Sequence, residues 1–400
     1  MKTHPEKLAL LGGAPVREQL LPYGKQHITQ DDINAVTSVL TSDWLTTGPK
    51  VAEFEQAFAT TVKAEHAVAV SNGTAALHAA MYALGIQKGD EVIVPAITFA
   101  ATANCVVFEG GKPVFADVEA DTLLIDAQKI EALITPRTKA IIAVDYAGQP
   151  CDYRRLREIA EQNHLFLVDD SCHALGGKYH EQPVGTLADL NTFSFHPVKH
   201  ITTGEGGMIT TDDENLAKKM RLFRAHGIAT DHRERELKGS WIYEMIDLGY
   251  NYRLTDIQCA LGISQIKNLQ AWVQRRRDIA NEYSDAFRQL PGITPLAVRK
   301  GNFHAFHLYV IRLNLGTLKA YDRAFFFRAL RAEGIGVNVH YVPVHLHPYY
   351  QTLLGTKKGD CPVAESAYEC ILSLPVFPQM TSDDVRDVIH AVDKVMRACQ

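Results

Sequence analysis

The sequence predicts an α/β fold built on a mostly parallel sheet, followed by a smaller α+β domain. The first observation is that apolar runs of strand length alternate with helical stretches. Seven such runs are present: Ala67–Val70, Glu91–Val94, Pro113–Val118, Ala140–Val144, Leu165–Val168, Thr192–Phe195 and Met208–Thr211. The second observation is that this alternation stops after about residue 260. Because ligands gather at the carboxyl ends of parallel strands, we expect the functional residues there.

The part of the chain before these strands predicts an arm and two short helices. Residues 1–29 contain Gly and Pro without a clear period, which indicates an arm or loop. A large domain is expected over residues 30–260. It opens with apolar residues at helical spacing on each side of a break at Thr46–Pro49. These residues are Ile33, Val36, Val39 and Leu40 before the break, and Val51, Phe54, Ala57 and Phe58 after it.

Residues 261–400 predict the smaller domain. A helix-rich stretch runs to Leu290, and a strand is expected at Leu308–Leu313. A helix near Tyr321–Glu333 and an extended segment at Val337–Val342 follow. The last stretch places its apolar residues on one helical face behind Thr381, a plausible N-cap.

Charge and cysteine content exclude several classes of function. There are 41 Lys and Arg residues against 46 Asp and Glu residues, a net charge of −5, and no basic run that would suit a nucleic-acid partner. No apolar stretch is long enough to span a membrane, and the first residues lack the apolar core of a secretory signal, so we expect a cytoplasmic protein. Seven scattered cysteines favour reduced thiols over a disulfide framework or a zinc site. His340, His345 and His347 have no acid or cysteine set beside them, so no metal site is expected.

Three segments are typical of a site that binds a phosphorylated cofactor. Ser71–Ala76 follows a strand and opens a helix, so its backbone N–H groups and the Thr74 hydroxyl can approach an anion, although an ordinary capped turn has the same pattern. Two acids, Asp169 and Asp170, end a strand, where a carboxylate suits a pyridinium nitrogen but can also cap a helix. Lys199 follows a strand in a polar, Gly-rich loop that suits a Schiff-base lysine, although a lone loop lysine is usually solvated.

Five segments in this order and spacing resemble the pyridoxal-phosphate-dependent sugar aminotransferases of the DegT/DnrJ/EryC1/StrS family. They are S-N-G-T-A-A-L, P-A-I-T-F-A-A-T-A-N, V-D-D-S-C-H-A-L-G, S-F-H-P-V-K-H-I-T-T-G-E-G-G and G-Y-N-Y-R-L-T-D-I-Q. The resemblance extends from about Leu21 to the end of the sequence. It implies the fold type I, aspartate-aminotransferase-like architecture, pyridoxal 5′-phosphate as cofactor and L-glutamate as amino donor.

The resemblance also implies a role for each matching residue. Lys199 corresponds to the lysine that binds the cofactor and moves protons, and Asp170 to the acid that keeps the pyridine nitrogen protonated. His173 corresponds to the residue beside the ring hydroxyl, and Phe99 to the aromatic residue that stacks on the ring. The phosphate would be bound by Gly73, Thr74, Ala75 and Ser194. The nucleotide sugar would contact Tyr23, Trp44, Leu45, Thr46, His340 and Tyr341. Asn251 corresponds to a residue that reaches the cofactor of the neighbouring subunit, which implies a homodimer with shared active sites.

Within the family, four segments are most like the branch of pseudaminic acid biosynthesis: L-P-Y-G, W-L-T-T-G-P, T-F-A-A-T-A-N and G-V-N-V-H-Y-V-P-V-H. That branch aminates the C4 ketone of a UDP-linked 2-acetamido-2,6-dideoxy-4-keto-hexose, giving UDP-4-amino-4,6-dideoxy-N-acetyl-β-L-altrosamine and 2-oxoglutarate. Lys199 favours amino transfer, since relatives that remove a hydroxyl carry His there. Two alternatives stay open: the same chemistry at C3 or C4 of another nucleotide sugar, such as GDP-perosamine synthesis, and a non-catalytic cofactor-binding or regulatory protein.

Overall fold

The computed structural model describes residues 6–230, 235, 239–316, 318 and 321–399. Its strands are β1 (His66–Val70), β2 (Glu91–Pro95), β3 (Lys112–Ala116), β4 (Thr138–Val144), β5 (Phe166–Asp170), β6 (Lys178–Tyr179), β7 (Gln182–Pro183), β8 (Leu190–Ser194), β9 (Gly207–Thr211), β10 (Ile293–Pro295), β11 (Asn302–Phe303), β12 (Tyr309–Leu313) and β13 (Ile371–Leu374). The large sheet has seven strands in the order β1-β9-β8-β5-β4-β2-β3. β9 is antiparallel to both β1 and β8, and the other pairs are parallel. The predicted seven-stranded, mostly parallel sheet is confirmed.

Helices cover both faces of this sheet. The helices of the described residues are α1 (Gln30–Leu40), α2 (Pro49–Val62), α3 (Gly73–Ala83), α4 (Ala101–Phe108), α5 (Ala127–Ile130), α6 (Tyr153–Gln162), α7 (Glu214–Phe223), α8 (Asp256–Ile266), α9 (Leu269–Phe287), α10 (Arg323–Ala332), α11 (Pro348–Leu354), α12 (Pro362–Tyr368) and α13 (Ser382–Cys399). Side chains of α3, α4 and α7 pack against Val92, Val94 and Ile142 on one face. Helices α2, α6 and α8 pack with Ile93 and Ile141 on the other face. Alternate strand residues therefore enter different cores, as the pleat requires.

The second unit is a three-stranded antiparallel sheet, β10-β12-β13, with α10 and α13 packed into its core. The predicted strand and helix near Leu308 and Tyr321 correspond to β12 and α10. The extended segment at Val337–Val342 is not a strand, since only Asn338 forms an isolated bridge, to Ser373. α9 belongs to both cores, because its first turns pack on the large sheet and its last turns on the small one. The fold type I architecture expected from the resemblance is confirmed.

The N-terminal arm, described from residue 6, lies against the second unit. The Glu333 carboxylate accepts hydrogen bonds from the backbone N–H groups of Ala9 and Val16 at 2.8 and 3.1 Å. It also forms a buried ion pair with Lys394 at 2.8 Å, and Lys394 donates a second hydrogen bond, to Ala14 O. Both charged groups of this buried ion pair thus form further hydrogen bonds, which is the condition under which such a pair is tolerated. The arm then continues to Tyr23 at the mouth of a large cavity.

Across the described ranges, we find no helix with the length and apolar character needed to cross a membrane.

Candidate active site

A cavity of about 850 Å³ lies at the carboxyl ends of the parallel strands. Eleven of the residues proposed from the sequence line it: Tyr23, Gly73, Thr74, Ala75, Phe99, Asp170, His173, Ser194, Lys199, His340 and Tyr341. The arm, the large unit and the second unit all contribute. Trp44, Leu45, Thr46 and Asn251 are exposed and are not part of its lining among the described residues. The cavity is large enough for a cofactor together with part of a sugar substrate.

The first wall of the cavity is the N-terminus of α3. Asn72 caps the helix, its side-chain oxygen accepting a hydrogen bond from the backbone N–H of Ala75 at 2.8 Å. Gly73 allows β8 to approach, because a Cβ atom there would lie 2.9 Å from the Cβ of Ser194. The first N–H groups of a helix have no partner within the helix and carry partial positive charge. This turn, with the hydroxyls of Thr74 and Ser194 beside it, can therefore bind a phosphate.

Lys199 lies in the turn between β8 and β9. Its backbone N–H donates a hydrogen bond to His196 O at 2.9 Å, which closes the turn and directs the side chain into the cavity. Burial lowers the pKa of Lys199, and the nearby Arg276 lowers it further, while Cys172 and Asp170 act in the opposite direction. The amine is therefore easier to deprotonate than a solvated lysine. A neutral amine is the form that attacks a carbonyl.

Asp170 ends β5 at the floor of the cavity and is 5% exposed. One carboxylate oxygen, Oδ2, accepts a hydrogen bond from the Thr102 hydroxyl at 2.7 Å. The other oxygen accepts a longer one, 3.3 Å, from the backbone N–H of Cys172. Neither contact is a helix cap, so Asp170 does not have the alternative role of a helix-capping residue.

Asp169, next in sequence, lies on the opposite face of the sheet. It is paired in register with Ala143 of β4. Asp145, two residues after Ala143, lies in the same core and contacts Tyr153 there. Asp145 accepts hydrogen bonds from the Tyr153 hydroxyl and from Cys151 N–H, both at 2.9 Å. Neither Asp169 oxygen has a hydrogen-bond partner among the described residues. Burial raises the pKa of Asp169 to about 7, and burial together with Asp169 raises the pKa of Asp145 as well.

Neutral imidazoles form another wall. The Nε2 atom of His173 lies 3.2 Å from the Tyr341 hydroxyl, and its ring centroid is 4.3 Å from that of His307. His340 Nδ1 lies 2.9 Å from the Ser373 hydroxyl. Burial lowers the pKa of His173, and it lowers the pKa of His340 to about 4, with Lys199 adding to both effects. These rings therefore act as neutral hydrogen-bonding groups near physiological pH.

Several residues of the site escaped the sequence analysis. His307 lines the cavity, but a histidine before a strand carries no signal of its own. Tyr252 also lines it, and its hydroxyl lies 3.1 Å from His78, which in turn contacts Glu109 at 2.7 Å. Thr102 has a signal in the sequence, because it lies one helical turn after Thr98 within the segment P-A-I-T-F-A-A-T-A-N.

The exposed segment before Asn251 is rich in large apolar side chains. Trp241 is 85% exposed, and the same stretch exposes Ile242, Tyr243, Met245, Ile246, Leu248 and Tyr250. Its backbone is nevertheless fixed, since His226 N–H donates to Tyr250 O at 3.0 Å and Ile246 N–H to Gly227 O at 2.9 Å. Such a patch is unusual on a monomer and marks an interaction surface.

Comparison with known proteins places these features in a family. The profile of the DegT/DnrJ/EryC1/StrS aminotransferase family matches residues 26–393. The spore coat polysaccharide biosynthesis protein SpsC of Bacillus subtilis is 44% identical over 383 residues, which are 95% of this chain and 98% of SpsC. Among solved structures, Helicobacter pylori PseC, an aminotransferase of pseudoaminic acid biosynthesis, has a TM-score of 0.89 at 33% identity, covering 95% of this chain and all of PseC. The putative sugar aminotransferase Spr1654 of Streptococcus pneumoniae, in its PLP form, has a TM-score of 0.88 at 33% identity with the same coverage.

The buried acid Asp169 leads to a prediction about stability. Its pKa is raised in the folded protein above the unfolded value of about 3.9, so the folded state binds more protons between these two values. Its stabilising contribution is therefore complete below about pH 4 and is lost as pH rises through about 7. We expect Asp169→Asn to remove this dependence. Between pH 5 and 8, the free energy of unfolding of the wild type should fall by about 2–4 kcal/mol relative to that of the variant.

Urea unfolding at pH 5 and pH 8 measures this difference. Asp278→Asn, at an exposed position on α9, makes the same charge change at the surface and is the matched control. If the difference in unfolding free energy between wild type and Asp169→Asn is the same at both pH values, Asp169 does not hold a proton in the fold.

Proposed function

The chain belongs to the DegT/DnrJ/EryC1/StrS aminotransferase family and is a pyridoxal-phosphate-dependent sugar aminotransferase, and we propose that it aminates the C4 ketone of a UDP-linked 2-acetamido-2,6-dideoxy-4-keto-hexose with L-glutamate as donor. The products would be UDP-4-amino-4,6-dideoxy-N-acetyl-β-L-altrosamine and 2-oxoglutarate. The observation that most supports this proposal is that Lys199, Asp170 and the turn at Gly73 line one cavity. Lys199 would supply the amine that attaches the cofactor, Asp170 would pair with its ring nitrogen, and the turn would bind its phosphate.

The residues of the cavity fit the cofactor. Gly73 has no Cβ, so the backbone N–H groups of this turn remain accessible to a phosphate. Asp170 would pair with the pyridine nitrogen, Phe99 would stack on the ring, and His173 would lie beside the ring hydroxyl. Phe99 supports this role, since its ring is 60% exposed beside the cavity and lies 6.0 Å from Tyr341. An exposed aromatic side chain at a cavity mouth is available for stacking.

Bound pyridoxal phosphate supplies an electrophilic carbonyl and a protonated ring that withdraws electrons from the carbon losing a proton. Lys199 would attach the cofactor through Nζ. Once displaced by the donor amine, its free amine would accept the proton from that carbon and later return it. Its lowered pKa supports both roles, because each requires a free amine. Since one lysine would serve donor and acceptor in turn, the two half-reactions should follow ping-pong kinetics.

The sugar would occupy the part of the cavity between the arm and the second unit. Tyr23, His340 and Tyr341 line this part, and the rings of Tyr23 and His340 lie 5.4 Å apart. Aromatic and neutral imidazole groups suit a sugar ring and its hydroxyls. The Trp44–Thr46 loop is exposed, and its proposed contact with the nucleotide would have to form outside the cavity described above.

A second candidate is the same reaction, at C3 or C4, on another nucleotide sugar. SpsC, at 44% identity, is a spore coat polysaccharide biosynthesis protein, and it is more similar in sequence than PseC at 33%. The competitors to exclude are the nucleotide sugars that the resemblance leaves open, GDP-linked and dTDP-linked keto sugars among them. A non-catalytic cofactor-binding role has less support, because the lysine required for amino transfer is present.

We also propose that the active unit is a cytoplasmic homodimer with shared sites. The apolar segment from Trp241 to Tyr250 would be covered by a second copy, which would bring Asn251 to the cofactor phosphate of its neighbour. Backbone hydrogen bonds already fix this segment, so little ordering is needed on association. The cytoplasmic location is supported by the seven cysteines, all free thiols in the described residues.

The role of Lys199 can be tested by absorbance. The purified protein mixed with pyridoxal phosphate should show the visible band of lysine-bound cofactor, and Lys199→Ala should abolish it and lower turnover by about 10³-fold. Lys88→Ala, an exposed lysine on the surface, is the control and should retain both. A Lys199→Ala protein that keeps the band would mean that another amine holds the cofactor.

The substrate proposal can be tested by offering UDP-linked and GDP-linked 4-keto sugars with glutamate and identifying the products by mass. We expect an amino product from the UDP-linked N-acetyl sugar. Amination of the GDP-linked sugar alone would favour the second candidate instead. A chain that binds the cofactor but converts neither donor nor acceptor would favour a non-catalytic role.

The shared site can be tested by mixing inactive variants. Lys199→Ala and Asn251→Ala should each be impaired, and a mixed dimer should regain one intact site, because Lys199 and Asn251 of that site come from different copies. Lys199→Ala mixed with Asp170→Asn is the control, since each site then keeps one lesion. Recovery after subunit exchange in the first mixture only is expected; equal behaviour of both mixtures would reject the proposed sharing.

A further inference from the structure

Two buried threonines connect the cavity to Asp170. Thr98, just after β2, is 2% exposed and lines the cavity, and Thr102 in α4 is fully buried. Their Oγ1 atoms lie 2.7 Å apart, and Thr102 Oγ1 lies 2.7 Å from Asp170 Oδ2. Both residues belong to the segment P-A-I-T-F-A-A-T-A-N, of which only Phe99 has a role in the site proposed above.

The direction of these hydrogen bonds follows from the number of donors. An ionised carboxylate can only accept, so the single hydroxyl proton of Thr102 is donated to Asp170. Thr102 can then only accept from Thr98, whose own proton is thereby used. The chain runs from Thr98 to Thr102 to Asp170, and Thr98 presents only lone pairs to the cavity. Successive hydroxyl donors polarise one another, and the bond to the charged group is the strongest of them.

We propose that Thr102 is a positioning residue for Asp170, and that Thr98 and Thr102 together hold the carboxylate in the orientation that pairs with the ring nitrogen of the cofactor. This inference rests on the role proposed for Asp170. It assigns a task to the two hydroxyls that follow β2, beyond the aromatic ring between them.

Packing alone does not account for two hydroxyls at these positions. Their neighbours in α4, Ala101, Ala103 and Cys105, are small and buried, and valine would fill the same volume as threonine without a polar atom. Burying a hydroxyl is unfavourable unless it forms a hydrogen bond. The bond that each one forms leads toward Asp170, which indicates that the carboxylate is what they serve.

The carboxylate also needs this support. Apart from Thr102, the contacts of the Asp170 carboxylate come from Cys172, whose backbone N–H donates a 3.3 Å hydrogen bond to Oδ1 and whose thiol also interacts with the carboxylate. A long backbone bond and a weak thiol donor restrain the rotation of the carboxylate poorly. The short bond to Oδ2 fixes the second oxygen, while lone pairs remain for a ring N–H.

The expected consequence is a change in the cofactor itself. A protonated ring nitrogen withdraws electrons and lowers the pKa of the nitrogen that joins lysine to cofactor. If Asp170 is held less firmly, the ring proton is held less firmly too, and the pH midpoint of the visible absorbance should rise. Binding of pyridoxal phosphate should weaken roughly tenfold when the charge-assisted bond is lost.

The experiment compares Thr102→Val, Thr102→Ser and Thr98→Val in the full-length protein loaded with pyridoxal phosphate. Two quantities are measured for each: the pH midpoint of the absorbance of lysine-bound cofactor, and the dissociation constant for pyridoxal phosphate. We expect Thr102→Val to raise the midpoint and weaken binding, Thr102→Ser to restore both, and Thr98→Val to have a smaller effect in the same direction. Asp170→Asn should exceed all three.

The outcomes separate this inference from the proposed function. If Asp170→Asn changes neither quantity, the site proposed for the cofactor is wrong. If Asp170→Asn has its effect but Thr102→Val leaves the midpoint unchanged or lowers it, or Thr102→Ser behaves like Thr102→Val, the positioning role is wrong. Should Thr102→Val fail to fold, Thr98→Val and Thr102→Ser carry the same test: an unchanged midpoint in Thr98→Val would overturn the chain of hydrogen bonds.

Discussion

The candidate site depends on the pairing of β9 between β1 and β8. Because β9 is antiparallel to both, β1 and β8 point the same way, and β5 is parallel to β8. The chain must therefore turn between β8 and β9 at the edge of the sheet where β1 and β5 also end. Close approach is possible because Gly207 opens β9, where a Cβ atom would lie 2.4 Å from Asn72 O. The turn at Gly73, the acid Asp170 and Lys199 meet for this reason, although they are far apart in sequence.

The electrostatics of the cavity follow from burial more than from net charge. Desolvation lowers the pKa of Lys199, His173 and His340, so the two imidazoles favour their neutral forms and the lysine amine is easier to deprotonate than in water. In the proposed site, attraction for a phosphate would come from the N-terminus of α3 and from hydroxyls. A net charge of −5 does not oppose anion binding of this kind, since the relevant partial charges lie at the site.

The seven strands of the large sheet and both helices of the opening segment could be predicted from sequence, because apolar runs at strand or helix spacing are local signals. Eleven of the 25 residues that line the cavity could also be predicted, several of them only through the resemblance. The resemblance selects Asp170 over the adjacent Asp169, and the sheet register gives the physical reason, because it turns the two acids to opposite faces of the sheet. The contact between Thr102 and Asp170 joins residues that are 68 apart in sequence and belong to different elements. Nothing local identifies such a pair. The exposed positions of Trp44 and Asn251 likewise reflect how loops are arranged, and sequence motifs do not specify that.

The arm has a consequence for the order in which the molecule becomes complete during synthesis. Tyr23 precedes every strand of the large sheet in the sequence, yet the arm that carries it is held by Glu333 and Lys394, the second of which lies in α13. Domains generally form as the chain emerges, starting from the N-terminal side. Here the large sheet can assemble while the arm still has no surface to bind. The wall of the cavity formed by Tyr23 therefore depends on α13, so the cavity is complete only when the second unit has folded against the arm.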